Sequence, residues 1–194
     1  VVASGVRVNA SLSVGIPEAG ITNRAINSQS LAREEDVMNL ATILEYEEGF
    51  RYKPYLCSEG YVTIGLGTKL HNEKGLDPSD FPISVSRKIA FEWLETEVAL
   101  KDQRMLNDWR HQKVYQNLDN DRRAVILSMA YQMGTSGVKK FNKMWLALSK
   151  GDHKMAAMQA LDSRWAKQTP ARAERVARVL SGESLEEVFK HINE

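Results

Sequence analysis

The chain has 194 residues, 43% of them apolar and 26% charged, with a formal net charge of +1. That length suits one domain or two small lobes on a shared core, and that composition is ordinary for a globular fold rather than for low-complexity disorder. A net charge so near zero gives no global field for nucleic acid, and no run approaches the roughly 18 apolar residues of a membrane span.

In chain order, Val6, Val8, Ala10, Leu12 and Val14 alternate with polar residues over 1–14, the period of a half-buried strand. Residues 15–30, with Gly15, Pro17, Gly20 and several Asn and Ser, read as a linker. Residues 1–30 are therefore expected to form an N-terminal strand and linker extension. The start at Val1 reads as a processed or excised end.

A helix is expected from Ser30, its N-cap, to about Glu47, with Val37, Leu40, Ala41 and Leu44 as its apolar stripe. Between 50 and 70, Tyr52, Tyr55, Tyr61, Val62, Thr63 and Ile64 favour strands, and Pro54, Gly60, Gly65 and Gly67 punctuate them. This predicts a small antiparallel sheet, followed by an irregular stretch over 71–83.

From Ser84 the pattern is helical. A long helix is predicted to Asn107, then helices near 120–133, 140–150, 153–167, 170–181 and 185–192. Gly134 and Gly151 suit helix C-termini, Pro170 suits a first helical position, and Ser184 with Glu187 makes a capping box. The fold class is α+β. A sheet lobe (about 48–83) is joined by a connecting helix (about 84–107) to a helical lobe (about 108–194), leaving a cleft between lobes as the natural ligand site. Residues 31–194 are read as one domain.

One cysteine, Cys57, cannot close an internal disulfide. His71, His111, His153 and His191 are scattered without metal-ligand spacing, and there is no phosphate-cradling glycine loop, so no metal and no cofactor are expected. Trp93, Trp109, Trp145 and Trp165 read as core. So do Met129, Met133, Met144, Met155 and Met158 in apolar helical settings. Arg164, Lys167, Arg172, Arg175 and Arg178 read as a solvated helical face, the alternative being a surface for an anionic polymer.

Glu48 ends the first helix, and Cys57 and Thr63 follow on the hairpin, so all three can reach one cleft wall. Many chains hold an acid, a thiol and a hydroxyl at such distances, and spacing alone does not single these out. Their context does. The stretch Glu48-Gly49-Phe50-Arg51 with Tyr55-Leu56-Cys57-Ser58-Glu59-Gly60-Tyr61-Val62-Thr63-Ile64-Gly65-Leu66-Gly67 resembles the active-site segment of the lysozymes of T-even phages. The resemblance continues through Val114-Tyr115-Gln116-Asn117-Leu118, Arg122-Arg123-Ala124, Gln132-Met133-Gly134, Gly137-Val138, Ser163-Arg164-Trp165, Gln168-Thr169-Pro170 and Arg172-Ala173. It covers roughly residues 35–190 and excludes residues 1–30.

The resemblance implies a two-lobed, lysozyme-like muramidase hydrolysing the β-1,4 bonds between N-acetylmuramic acid and N-acetylglucosamine. Its partner would be the glycan strands of peptidoglycan. Position by position, it implies Glu48 as general acid, Thr63 as holder of the attacking water, and Cys57 where aspartate is usual. Glu59, Gln132 and Arg172 become cleft residues, Arg172 beside the acid. Thr68 replaces a common histidine, so any histidine–acid bridge there should be missing. A free thiol is mostly protonated at neutral pH, and the role of Cys57 as base, nucleophile or electrostatic helper stays open.

Two settings fit this activity: an endolysin made in the host cytoplasm that acts in the periplasm, and a lysozyme carried on a virion. In the second, residues 1–30 would join a phage tail or spike protein. A non-catalytic wall-binding module that keeps the fold is the alternative reading.

Overall fold

The computed structural model describes residues 34–57 and 59–190. The strand and linker expected over 1–30, and the Ser30 cap, lie outside the described residues.

Helix α1 (Glu34–Glu48) runs one residue past the end expected near Glu47. It stops at Gly49, whose N–H donates to Glu45 O at 2.8 Å. Three strands follow, β1 (Arg51–Leu56), β2 (Tyr61–Gly65) and β3 (Thr68–Lys74), antiparallel in the order β1-β2-β3. Pro54 is tolerated because β1 is an edge strand, and it falls where the register shifts between Arg51 and Tyr55. The strand β3 corrects the irregular reading of 71–74. His71, Asn72, Glu73 and Lys74 are all exposed, so no apolar alternation marks them, while Tyr61↔Lys74 pairing still carries the strand to Lys74.

A short 3₁₀ turn (Pro78–Asp80) leads to α2 (Arg87–Leu106). Its cap is Ser86, whose Oγ accepts from Ile89 N, rather than Ser84. The intervening Val85 is buried, and its N–H is given to Tyr52 O, so the chain stays extended there. Gly65 lies against this junction. A Cβ on it would come within 3.1 Å of Ala90 Cβ, and its φ of 68° already excludes most side chains. The sheet therefore approaches α2 at a point where only glycine fits.

The helical lobe contains α3 (Gln112–Gln116), α4 (Asn120–Met133), α5 (Thr135–Val138), α6 (Asn142–Ser149), α7 (His153–Leu161), α8 (Arg164–Gln168), α9 (Pro170–Ser181) and α10 (Leu185–Phe189). The helices α3 and α5 are single turns, too short for a periodicity to announce. The expected helix over 153–167 is broken in two by Ser163. Its hydroxyl donates to Ala160 O and accepts from Ala166 N, ending α7 and capping α8. Gly134 follows α4, Pro170 opens α9, and the Ser184–Glu187 capping box starts α10.

One apolar core runs from Leu40 and Leu44 through Ile64, Leu66, Leu94 and Met105 to Ile126, Val176, Leu180 and Phe189. Helix α4 lies at its centre, with Ala124 to Ala130 buried without a break, and it packs on α1, α2 and α9. Trp145 and Trp165 belong to this core, but Trp93 (40% exposed) and Trp109 (80% exposed) do not. Met129 and Met144 are buried and Met133 is half-buried, whereas Met155 and Met158 face solvent. Trp93, Met155 and Met158 lie on the outer faces of α2 and α7, each of which covers the core with one face only, and Trp109 lies in the turn between α2 and α3.

Candidate active site

Glu48 is the last residue of α1, with its side chain 22% exposed. Its Oε1 accepts from Arg172 Nη1 at 2.6 Å. Arg172 is itself buried on α9, and its Nη2 donates to Ser128 O and Ser128 Oγ on α4 at 2.9 and 3.0 Å. The guanidinium is thus fixed from α4 and holds one carboxyl oxygen. The other, Oε2, faces Gly67, where a Cβ would stand 3.9 Å away. Gly67 has φ 92° in the turn between β2 and β3, so the oxygen not held by Arg172 meets bare backbone.

The same turn is tied down by Tyr131 of α4, whose hydroxyl donates to Leu66 O at 2.7 Å. Burial pushes the Tyr131 phenol up, and the negative charges of Glu97 and Glu48 add to it, so it remains a neutral donor. Lys101 Nζ lies 5.6 Å over the Tyr131 ring and pairs with Glu97 at 2.6 Å along α2. Thr68 lines a crevice with Glu97 and Lys101, together with Trp93 and Arg104.

Beside this pair is a second one. Glu47, 6% exposed, accepts from Arg175 Nε and Nη2, both at 2.8 Å, a bidentate fork that keeps Arg175 fully charged. Arg175 also covers the rings of Tyr46 and Phe189. Arg178 pairs with Glu183. Of the basic run, Arg172 and Arg175 turn inward onto carboxylates and are not part of a solvated face, whereas Arg164, Lys167 and the Arg178–Glu183 pair are exposed to solvent. Sequence reading missed Glu47, Arg175, Ser128 and Tyr131. The three-residue spacing of Arg172 and Arg175, one helical turn apart, was the available signal for a shared face.

Thr63 is buried in the middle strand, and its hydroxyl donates to Tyr55 O at 3.3 Å. Its lone pairs remain free to accept. Cys57 follows β1, half-exposed. Its N–H donates to Tyr61 O, and its carbonyl accepts from Gly60 N, both at 2.9 Å. Glu48 precedes β1 and Cys57 follows it, with Thr63 on the partner strand between them. Glu59 is exposed on the hairpin turn and forms no ion pair among the described residues. Gln132 ends α4 on the opposite lobe. Its Oε1 accepts from Trp165 Nε1 at 2.7 Å, which turns the amide nitrogen outward as a donor. Trp165 is braced edge-on by Phe141, and both line a groove of about 570 Å³ with Lys143, Gln159 and Arg164.

A helix-end carboxyl is thus fixed through one oxygen by a buried guanidinium and presents the other at the glycine turn, where a ligand oxygen could approach it. The phage lysozyme family model matches residues 45–182. The pre-baseplate central spike protein Gp5 of Enterobacteria phage T4 is 31% identical over 77% of this chain, which spans only 28% of the spike protein's length. Two probable T4-type lysozymes of Dictyostelium discoideum, 1 and 2, are 27% and 28% identical, over 74% and 78% of this chain and 94% and 98% of their own.

Proposed function

The chain belongs to the phage lysozyme family of glycoside hydrolases, and on that premise we propose that it is a muramidase. It cleaves the β-1,4 bond between N-acetylmuramic acid and N-acetylglucosamine in peptidoglycan, and residues 31–194 form its catalytic domain. The observation that carries this reading is the Glu48–Arg172 pair at 2.6 Å, with Oε2 left at Gly67.

Glu48 is the general acid. Arg172 fixes Oε1, so the proton leaves from Oε2 to the glycosidic oxygen as that bond breaks. The sugar then carries oxocarbenium character and is attacked by water. Thr63 accepts a hydrogen from that water while giving its own to Tyr55 O. Cys57 supplies base or negative charge at the hairpin end, where aspartate is usual in the family. Gln132, aimed by Trp165, and Glu59 contact the strand from the helical and sheet lobes.

The reading is tested by digesting purified peptidoglycan and identifying the new ends by mass spectrometry. Hydrolytic muramic acid reducing ends are expected. Glucosamine reducing ends, or no new ends, would overturn it; binding without new ends would instead establish the wall-binding module.

The 31% identity to a central spike protein favours carriage on a virion tail over release as a free endolysin. Residues 1–30 are then the attachment to a tail or spike protein, and the enzyme opens the wall during entry. Immunogold labelling of purified virions decides this: label at the tail is expected, and protein found only in lysates would leave the endolysin. No helix among the described residues is long and apolar enough to cross a membrane.

A further inference from the structure

Helix α4 reaches the Glu48 carboxyl from two sides. Ser128 and Tyr131 stand three residues apart on it, so their side chains are neighbours on one face. Ser128 accepts from the Arg172 guanidinium through its carbonyl and its hydroxyl, at 2.9 and 3.0 Å, and Arg172 in turn fixes Glu48 Oε1 at 2.6 Å. Tyr131 fixes what stands before the other oxygen. Its hydroxyl donates to Leu66 O at 2.7 Å, across 65 residues of chain. Leu66 precedes Gly67, and a Cβ on Gly67 would lie 3.9 Å from Glu48 Oε2 and 4.0 Å from Tyr131 Cε1. The tyrosine ring and the carboxyl therefore flank the same glycine.

Tyr131 is itself held. Its ring centroid lies 5.6 Å from Lys101 Nζ, and Lys101, only 8% exposed, is paired with Glu97 at 2.6 Å. Lysine is rarely so buried without such partners. Burial keeps the Tyr131 phenol protonated, so its hydroxyl stays a donor to Leu66. The ring packs against the apolar core, as a phenylalanine would. Packing therefore does not account for the hydroxyl, whose bond goes to the turn.

A general acid must come within about 2.6–3.2 Å of the oxygen it protonates. We propose that Tyr131 is a positioning residue for Glu48: its hydroxyl holds the β2–β3 turn at the separation from Oε2 at which a glycosidic oxygen, resting against Gly67, takes the proton. This role rests on the muramidase reading. Tyr131 touches neither the proton nor the sugar; it acts through Leu66 and Gly67. Without the hydroxyl the turn is free to draw away, and a bound strand rests farther from the acid.

The test is Tyr131→Phe, made alone and together with Glu48→Gln, with purified peptidoglycan as substrate. The single variant should lose about 10- to 100-fold in kcat with KM unchanged, the upper figure being what a misplacement of about 1 Å can cost. In the Glu48→Gln background no proton is left to place. There the same change should leave the residual rate as it was, read by mass spectrometry of long digests. A merely structural loss would lower both rates alike. An unchanged kcat, a loss carried by KM, or an equal loss in both backgrounds would overturn the proposal.

A wild-type chain that makes no new ends overturns the muramidase reading instead, and NMR then reads the hold on the turn without turnover. The Gly67 amide should shift as the Glu48 carboxyl titrates in the wild-type chain, and shift less in Tyr131→Phe. Equal shifts in the two chains refute Tyr131 as the hold.

Discussion

Replacing Glu48 by glutamine separates the proton from the shape of the side chain. Arg172 has only donors, so the glutamine must present its carbonyl oxygen where Oε1 now accepts at 2.6 Å. The amide nitrogen is then forced into the place of Oε2, facing Gly67. It can donate a hydrogen bond there but cannot release a proton to a leaving oxygen. Arg172 keeps its contacts with Ser128, so the fold is retained. The loss in kcat is the general-acid contribution, about 10²- to 10⁴-fold, or about 3–5 kcal/mol of barrier. Glu48→Asp keeps the proton but shortens the arm, so the carboxyl must either leave Arg172 or retreat from the turn. A misplacement of about 1 Å can cost about 10²-fold, and a loss of that order is expected. Clearing of purified cell walls gives the rates, and circular dichroism confirms folding. A folded glutamine variant within tenfold of the wild-type rate would refute Glu48 as the acid.

Cys57→Asp should restore what Cys57→Ala loses if position 57 supplies charge or base function, and NMR of the first-formed anomer should show inversion. An alanine variant equal to wild type at every pH would remove Cys57 from the reaction. Arg175→Met leaves the Glu47 carboxylate 6% exposed and unpaired, which should cost about 3 kcal/mol and lower Tm by roughly 6–12 °C. Adding Glu47→Met should recover much of this in calorimetry, and no recovery would locate the loss elsewhere. Burial raises the Asp108 carboxyl, but the 2.5 Å contact with His111 and the charge of Lys139 outweigh it, so the net shift is downward. A carboxyl lowered on folding stabilises above its unfolded value of about 3.9, and that contribution is lost as pH falls through the folded value. Asp108→Asn should therefore cost about 1–2 kcal/mol at neutral pH, with the gap to wild type closing below about pH 4 in urea titrations. A gap unchanged by acid would remove the carboxylate from the explanation.

The fold was legible wherever a cap or a periodicity spoke through local chemistry. Pro170, Gly134 and the Ser184–Glu187 box mark boundaries where they were expected, because each acts within a few residues of itself. The second half of β3 was not legible, since its polar residues are held by backbone pairing with β2 and bury nothing. Ser163 falls inside the single helix expected over 153–167 and proved to be the end of one helix and the start of the next. At the site, Glu48, Cys57, Thr63, Glu59, Gln132 and Arg172 were named by resemblance, not by spacing. Ser128, Tyr131, Glu47 and Arg175 escaped because their roles depend on contacts across long stretches of chain. Glu47 and Arg175 lie 128 residues apart, and nothing near either residue announces the other.

That separation has a consequence for the order in which the enzyme comes into being. Glu48 is synthesised early, but the guanidinium that holds it belongs to α9, 124 residues later. Until α9 has been made and has docked, the carboxyl has no anchor and α1 lacks the fork at Glu47. Local helices form fast, whereas contacts so distant in sequence form last. A chain clipped ahead of Pro170 should therefore fold, if at all, without the guanidinium that fixes the Glu48 carboxyl and without the partner of Glu47, and the proposed acid would lose its anchor.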